Sequence, residues 1–224
     1  MLDITEFDRD EAVAEAMHEL QEFTRSSMLK KAGLAAGGGL VGSLLPSGLA
    51  FGRSASGSKK RDVEILNFAL TLEYLEAEFY ALAVKHASAA GFGPKTRFFA
   101  HTVAAHEAAH VAALKGVLGS KAVAKPTFDF KGTTRKTGSF LLTSQVLEDT
   151  GVAAYAGQGP RILQSAVLAP AGAILAVEAR HASWVRRLIG GSGNRVLPAP
   201  AAFDAPATMD EILAAVGKTG FIKA

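Results

Sequence analysis

Two stretches of the chain, AAHEAAHVAAL (residues 104–114) and ILAVEARHASWV (residues 174–185), carry the same spacing of a glutamate and a histidine. The two Glu-x-x-His pairs are Glu107 with His110, and Glu178 with His181. On a helix, side chains three residues apart point the same way, about 60° apart around the axis and one turn along. Each pair can therefore bind one metal ion, and iron and manganese accept mixed carboxylate and imidazole ligands. Two copies of the pattern predict a metal site between two helices.

Apolar periodicity, interrupted by turn residues, predicts that both stretches belong to a set of four long helices. The predicted helices cover residues 62–89, 95–118, 139–156 and 165–189. Residues 120–138 form a polar loop, which makes the connection between the second and third helices long, and no alternating strand pattern is evident. The predicted fold class is therefore all-α, an up-down four-helix bundle with this long connection.

The bundle is predicted to occupy residues 58–193, between a flexible leader at 1–57 and a C-terminal tail at 194–224. The tail is rich in proline, and a short helix is predicted at 209–216 after an N-cap at Thr208. About 165 residues follow the leader, which is enough chain to bury a substantial core.

The first and third predicted helices offer the further glutamates that a dinuclear carboxylate site in a bundle requires. The third helix has Glu148, followed seven residues later by Tyr155, and the first helix repeats this spacing with Glu73 and Tyr80. Seven residues are nearly two helical turns, so each tyrosine is expected on the face of its glutamate. This internal symmetry favours Glu73 as the ligand, while Glu76, one turn further along, remains the alternative.

A second motif overlaps the first pair, because His106-Glu107-Ala-Ala-His110 also matches the H-E-x-x-H helix of zinc proteases. Such enzymes need a third ligand soon downstream, and the next histidine after His110 is His181. The zinc interpretation also leaves the second Glu-x-x-His pair unexplained. In the bundle interpretation, His106 is rotated off the metal-facing side and is expected to support the ligands rather than bind metal.

The composition narrows the chemistry that the chain can perform. It has 224 residues and no cysteine, which excludes disulfides, iron–sulfur clusters, zinc–thiolate sites and cysteine nucleophiles. The formal net charge of +3 is a mild basic excess that is too weak to indicate nucleic acid as a partner.

The leader contains an export-signal-like segment. The stretch TRSSMLKKAGL (residues 24–34) resembles a twin-arginine signal in which Ser26 replaces the second arginine and Met28 replaces the phenylalanine. An uncharged, glycine-rich run at residues 32–50 follows, and it is typical of a removable signal rather than a permanent membrane anchor. The expected location is the periplasm or cell envelope, and the alternative is a cytoplasmic protein with an uncleaved N-terminal extension.

The two Glu-x-x-His stretches, together with ILNFALTLEYLEAEFY (residues 65–80) and LEDTGVAAY (residues 147–155), resemble the ferritin-like superfamily. The most similar branch contains bacterial ferritin-like domain proteins with desiccation-related and fungal stress-response proteins, and the resemblance covers about residues 60–190. It implies two iron or manganese ions per chain in a carboxylate-bridged centre. The ligands carried over by motif are Glu73, Glu107, His110, Glu148, Glu178 and His181. The resemblance does not decide between Glu73 and Glu76.

The activities in this superfamily imply redox chemistry on hydrogen peroxide or dioxygen, here in stress protection, and leave open whether this chain is an enzyme. Tyr80 and Tyr155 would then hydrogen-bond a ligand carboxylate, carry an electron or fill the core. The alternative is a non-catalytic structural or metal-binding stress protein. Ferritin-like bundles often pair, which suggests a homodimer.

Overall fold

The computed structural model describes residues 59–190 and 196–223, and these residues contain five α-helices. The helices are α1 (Lys59–His86), α2 (Pro94–Leu118), α3 (Thr137–Gln158), α4 (Ser165–Gly190) and α5 (Met209–Thr219). The leader predicted at 1–57, with its export-signal-like segment, lies outside the described residues. Within them, no helix combines the length and the hydrophobicity that a membrane span requires.

The four long helices form two antiparallel hairpins that pack against each other. At one end of the bundle, Asn67 in the first half of α1 donates to the Lys121 carbonyl just beyond α2, at 2.9 Å. At the other end, the Thr137 hydroxyl at the start of α3 lies 3.3 Å from the Ala90 carbonyl after α1. The connection from 119 to 136 therefore runs the length of the bundle, so α2 and α3 point the same way. The predicted all-α bundle with a long second-to-third connection is confirmed.

The C-terminal segment packs onto the bundle through a helix and a short strand. The predicted N-cap is confirmed, because Thr208 and Glu211 form a reciprocal capping box at the start of α5. Strand β2 (Ile222–Lys223) pairs antiparallel with β1 (Thr127–Phe128) in the long connection, a pairing that the sequence did not indicate. Ile212, Val216 and Phe221 are buried in the same core as the helices.

A close backbone contact fixes the approach of this segment to α3. The Ala207 N–H donates to the Ala153 carbonyl at 3.0 Å. A Cβ at Gly157 would lie 1.9 Å from the Ala207 carbonyl oxygen, far inside van der Waals contact. Glycine is therefore required at 157, because only its missing side chain admits the crossing backbone.

Two clusters of buried apolar side chains fill the bundle. One is rich in aromatic rings, with Phe79 packed on Phe140 and Phe130, and the other is mostly aliphatic and includes Ile65 and Leu70. Burying one large apolar side chain contributes about 1.5–3 kcal/mol to folding. The same packing keeps water away from polar groups in the middle of the helices, which makes the electrostatics of those groups strong.

A buried carboxylate joins the start of α1 to the start of α4. Asp62 is fully buried and accepts hydrogen bonds from the backbone N–H groups of Leu163 and Gln164, both at 3.0 Å. These N–H groups precede α4, where no helical carbonyl is available to them. Burial acts to raise the pKa of Asp62, but the hydrogen bonds from Leu163 and Gln164 outweigh it and lower the pKa below its usual 3.8.

We expect Asp62→Ala to reduce the free energy of unfolding by about 1–3 kcal/mol, because buried N–H donors lose their acceptor. Because the folded pKa is lowered, this stabilisation is complete above the unfolded pKa of about 3.9 and is lost as pH falls through the folded pKa. Denaturant unfolding from pH 3 to pH 7 measures both effects. Glu64→Ala, at an exposed position on the same helix, is the matched control. Equal losses of unfolding free energy in the two variants would contradict the role of Asp62 as the acceptor for these N–H groups.

Candidate metal centre

All four long helices bring donor side chains to the middle of the bundle. Within the described parts of the chain, two groups of four residues could each hold a metal ion. The first group is Glu73, Glu107, His110 and Glu178, and the second is Glu107, Glu148, Glu178 and His181. In each group, the donor atoms lie within 4.8 Å of one another. The structure therefore brings the six sequence-predicted ligands together, with Glu107 and Glu178 belonging to both groups.

The first group converges on one nitrogen of His110. Its Nδ1 atom lies 3.2 Å from Glu73 Oε2, 3.1 Å from Glu107 Oε2 and 3.1 Å from Glu178 Oε1. Two ligands at right angles around an ion, each about 2.1 Å from it, are separated by about 3 Å. The spacing of these donors is thus the spacing of ligands around a single small cation.

The second group repeats this arrangement around His181. The Nδ1 atom of His181 lies 3.2 Å from both Glu107 Oε1 and Glu148 Oε2. Glu107 thus directs one carboxylate oxygen toward each histidine. If each group held one ion, Glu107 would be shared by the two ions.

The donor atoms lack other partners. The Glu73, Glu107, Glu148 and Glu178 side chains are 0% exposed. Among the described residues, five buried atoms that could bind metal have no hydrogen-bond partner: Glu107 Oε1, Glu148 Oε2, both oxygens of Glu178, and His181 Nδ1. Unpaired buried polar atoms are costly, and buried charges usually pair or coordinate metals. The donor set fits a pair of cations that prefer oxygen and nitrogen ligands.

Protein groups alone leave this cluster electrostatically strained. Burial and repulsion from neighbouring carboxylates raise the pKa of Glu148 well above its usual value, and that of Glu73 likewise. Burial acts to lower the pKa of His110, but hydrogen bonds with Glu107 and neighbouring glutamates raise it to about 12. Burial also acts to lower the pKa of His181, but the neighbouring carboxylates of Glu107 and Glu148 raise it to about 10. Both imidazoles, and the carboxylates of Glu73 and Glu148, therefore hold protons more tightly than usual. Bound divalent cations would supply the positive charge that these protons otherwise provide.

Two tyrosines orient the outer carboxylates. Tyr155 on α3 donates to Glu73 Oε1 on α1 at 2.5 Å, and Tyr80 on α1 donates to Glu148 Oε1 on α3. Each hydroxyl occupies one oxygen and leaves the other oxygen facing a histidine. Each tyrosine was expected on the face of the glutamate in its own helix, whereas its hydrogen bond is to the glutamate of the opposite helix.

His106 supports the site without belonging to either donor group. Its Nδ1 atom lies 2.8 Å from His181 Nε2, and the two rings stack with centroids 5.1 Å apart. With His181 Nδ1 directed at the carboxylates, its Nε2–H can donate to His106, which fixes the ring orientation. The structure therefore pairs His106 with a ligand, and His106 is absent from the donor groups that the H-E-x-x-H interpretation would require it to join.

Glu76 lies beside the donor groups but outside both of them. It is 3% exposed, and burial together with repulsion from Glu178 raises its pKa well above the usual value.

A Cβ at Gly151 would lie 3.4 Å from Glu76 Oε1 and 3.1 Å from Glu178 Oε2. Sequence reasoning missed Gly151. Its signal was a glycine in the middle of a helix, three residues after Glu148, where glycine costs about 1 kcal/mol relative to alanine.

Removing the charge at Glu73 or at Glu76 separates the roles of these two residues. We expect Glu73→Gln to lower the metal content to about one ion per chain, because one donor group loses a carboxylate. Glu76→Gln should leave the metal content unchanged, because Glu76 belongs to neither group. Elemental mass spectrometry of both purified variants makes the comparison. The opposite pattern, with metal lost only in the Glu76 variant, would exchange the two assignments.

The fold and the site together define a helical bundle with a candidate dinuclear carboxylate–histidine metal site. A family model described as "Ferritin-like domain" matches residues 61–191. The chain therefore belongs to the ferritin-like domain family. A comparison with curated proteins finds no match for the chain.

Proposed function

We propose that each chain holds two iron or manganese ions and uses them for redox chemistry on hydrogen peroxide or dioxygen. The observation that supports this proposal is the sharing of Glu107 and Glu178 between two complete donor groups. Carboxylates common to two groups would hold a pair of ions close enough to act on one small molecule. The ligand types suit both metals, so iron and manganese both remain part of the proposal.

The residues around the pair have separable tasks. When bound, a pair of divalent ions would supply two electrons, which with two protons reduce one hydrogen peroxide to two waters or one dioxygen to hydrogen peroxide; a second hydrogen peroxide, oxidised to dioxygen, or two added ferrous ions would return these electrons. His110 and His181 fix the geometry at each end, and the tyrosines hold the outer carboxylates in one orientation. The buried apolar clusters exclude water, which strengthens these interactions.

We further propose that this chemistry protects against oxidative or drying stress in the periplasm or cell envelope, with the chain acting as a homodimer. The support for export is the twin-arginine-like segment at residues 24–34. Detection of the mature protein in an envelope fraction, with residues 1–50 absent from its mass, tests the location. A full-length cytosolic chain would contradict it and favour the uncleaved extension.

A second candidate function is a non-catalytic stress protein whose metal site stabilises the fold. The complete burial of Glu73, Glu107, Glu148 and Glu178 favours it, because a closed site resists exchange with substrate. Both functions require bound metal, so metal content alone does not separate them.

Turnover separates the two candidates. The full chain is prepared with both iron and manganese available, its metal is identified by elemental mass spectrometry, and peroxide consumption and ferrous oxidation by dioxygen are then followed. Multiple turnovers per chain that require the bound metal are expected for the redox function. A loaded chain that is inert in both assays would establish the structural function instead, and a chain that binds neither metal after anaerobic reconstitution would exclude both.

A further inference from the structure

A narrow apolar cavity lies inside the end of the bundle where α1 and α4 begin and α3 ends. Its volume is about 10 Å³, enough for one particle the size of a water molecule. The wall is contributed by three helices and the short turn before α4. It includes Ile65, Ala69, Ala154, Tyr155, Ile162 and Ala171. Ala69, Ala154 and Ala171 are buried, and their small side chains help to leave this space open.

One wall residue of the cavity is hydrogen-bonded to the candidate metal centre. Tyr155 lines the cavity, and its hydroxyl donates to Glu73 Oε1 at 2.5 Å. Leu72, also in the wall, immediately precedes Glu73 in α1. Tyr155 therefore belongs to the cavity wall and also contacts a candidate ligand.

A wider cleft that is open to solvent shares part of its wall with the cavity. This cleft has a volume of about 420 Å³ and is lined by polar and charged residues, among them Arg61, Glu64 and Asp210. Ile65 and Gln158 line both the cleft and the cavity. The two spaces thus adjoin each other at these two residues.

The cavity offers almost no hydrogen bonds to an occupant. The Tyr155 hydroxyl is committed to Glu73. Gln158 donates through Nε2 to the Ala207 carbonyl at 3.4 Å and accepts through Oε1 from Arg161 at 3.3 Å. A polar molecule such as hydrogen peroxide would lose its hydrogen bonds to water here without replacement, which is unfavourable. A small apolar molecule has no such penalty.

We propose that this cavity is the access path by which dioxygen reaches the metal centre. The proposal rests on the proposed redox function and specifies its substrate class as an apolar diatomic gas. Size, wall chemistry and position support it together: the space admits one small molecule, presents apolar walls and has in its wall the tyrosine bound to Glu73.

Xenon, an apolar probe of similar size, tests the binding step without any metal chemistry. Crystals of the full chain under xenon pressure are compared with Ala171→Leu, which fills the cavity, and with Ala173→Leu, an exposed change on the same helix. Xenon is expected in the unmodified chain and in the Ala173→Leu control, and is expected to be absent from Ala171→Leu. No xenon in the cavity of the unmodified chain would overturn the proposal, whether or not the variant folds.

Reaction rates test the path in the metal-loaded protein. Oxidation by dioxygen should slow about tenfold in Ala171→Leu, equivalent to about 1.4 kcal/mol of added barrier, and should be unchanged in Ala173→Leu. Oxidation by peroxide should be unaffected in both variants. Equal slowing with peroxide, or no slowing with dioxygen, would overturn the proposal. Xenon bound in a loaded chain that reacts with dioxygen would support the path, whereas a loaded chain that reacts with peroxide but not with dioxygen would overturn it. A loaded chain that reacts with neither would refute the redox function itself.

Discussion

The Glu107→Gln/Glu178→Gln double variant is expected to bind neither metal ion, whereas the unmodified chain is expected to bind about two. Both carboxylates belong to both donor groups, so the two substitutions remove half of the donor residues of each ion at once. Glutamine keeps the size of the side chain, and it removes charge from a fully buried position. Elemental mass spectrometry on the full chain, after reconstitution with iron or manganese, measures the outcome.

Glu148→Gln is the control for this experiment, because Glu148 belongs to one donor group only. We expect it to lower the metal content to about one ion per chain and to leave the ion beside His110 in place. Circular dichroism checks that each variant is folded. Two ions retained in the double variant would contradict the shared-ligand arrangement and would place the metal elsewhere in the chain.

Helix periodicity explains why the donor residues could be predicted from sequence. Residues three apart share a helix face in any bundle, so the pairing of Glu107 with His110 needs no tertiary information. The hydrogen-bond partners of the two tyrosines could not be predicted without tertiary information. Tyr80 shares a helix with Glu73 but bonds Glu148, because the rotation of α1 against α3 decides which carboxylate each hydroxyl meets. That rotation is set by packing between helices, which sequence spacing does not encode.

The same distinction applies to the fold. The capping box at Thr208 was predictable because it is local, and the long connection was predictable from its polar residues. The predicted end of the first helix at residue 89 is three residues too late, since the sequence after His86 continues with helix-compatible residues. The structure ends α1 at His86, with Gly91 at a φ of 70° and the Phe92 N–H donating to Ala87. The β1–β2 pair joins residues far apart in the chain, which no local pattern reveals.

Metal binding is expected to raise the melting temperature of the chain by about 10–20 °C. A ligand at 100 times its dissociation constant stabilises the folded state by about 2.7 kcal/mol, so two ions contribute about 5 kcal/mol. For a domain of this size, each kcal/mol raises the melting temperature by about 2–4 °C. Scanning calorimetry in the presence of a chelator, and again with saturating Mn²⁺, measures the difference.

The double variant Glu107→Gln/Glu178→Gln gives this experiment a signature that ordinary destabilisation cannot produce. Its melting temperature should be the same in Mn²⁺ and in chelator, whereas a variant that is only destabilised would still respond to Mn²⁺. The reason is that each donor group loses two of its four residues, so Mn²⁺ no longer binds the folded state in preference to the unfolded one. A melting temperature that still rises with Mn²⁺ in this variant would mean that the stabilising ions are held elsewhere in the chain.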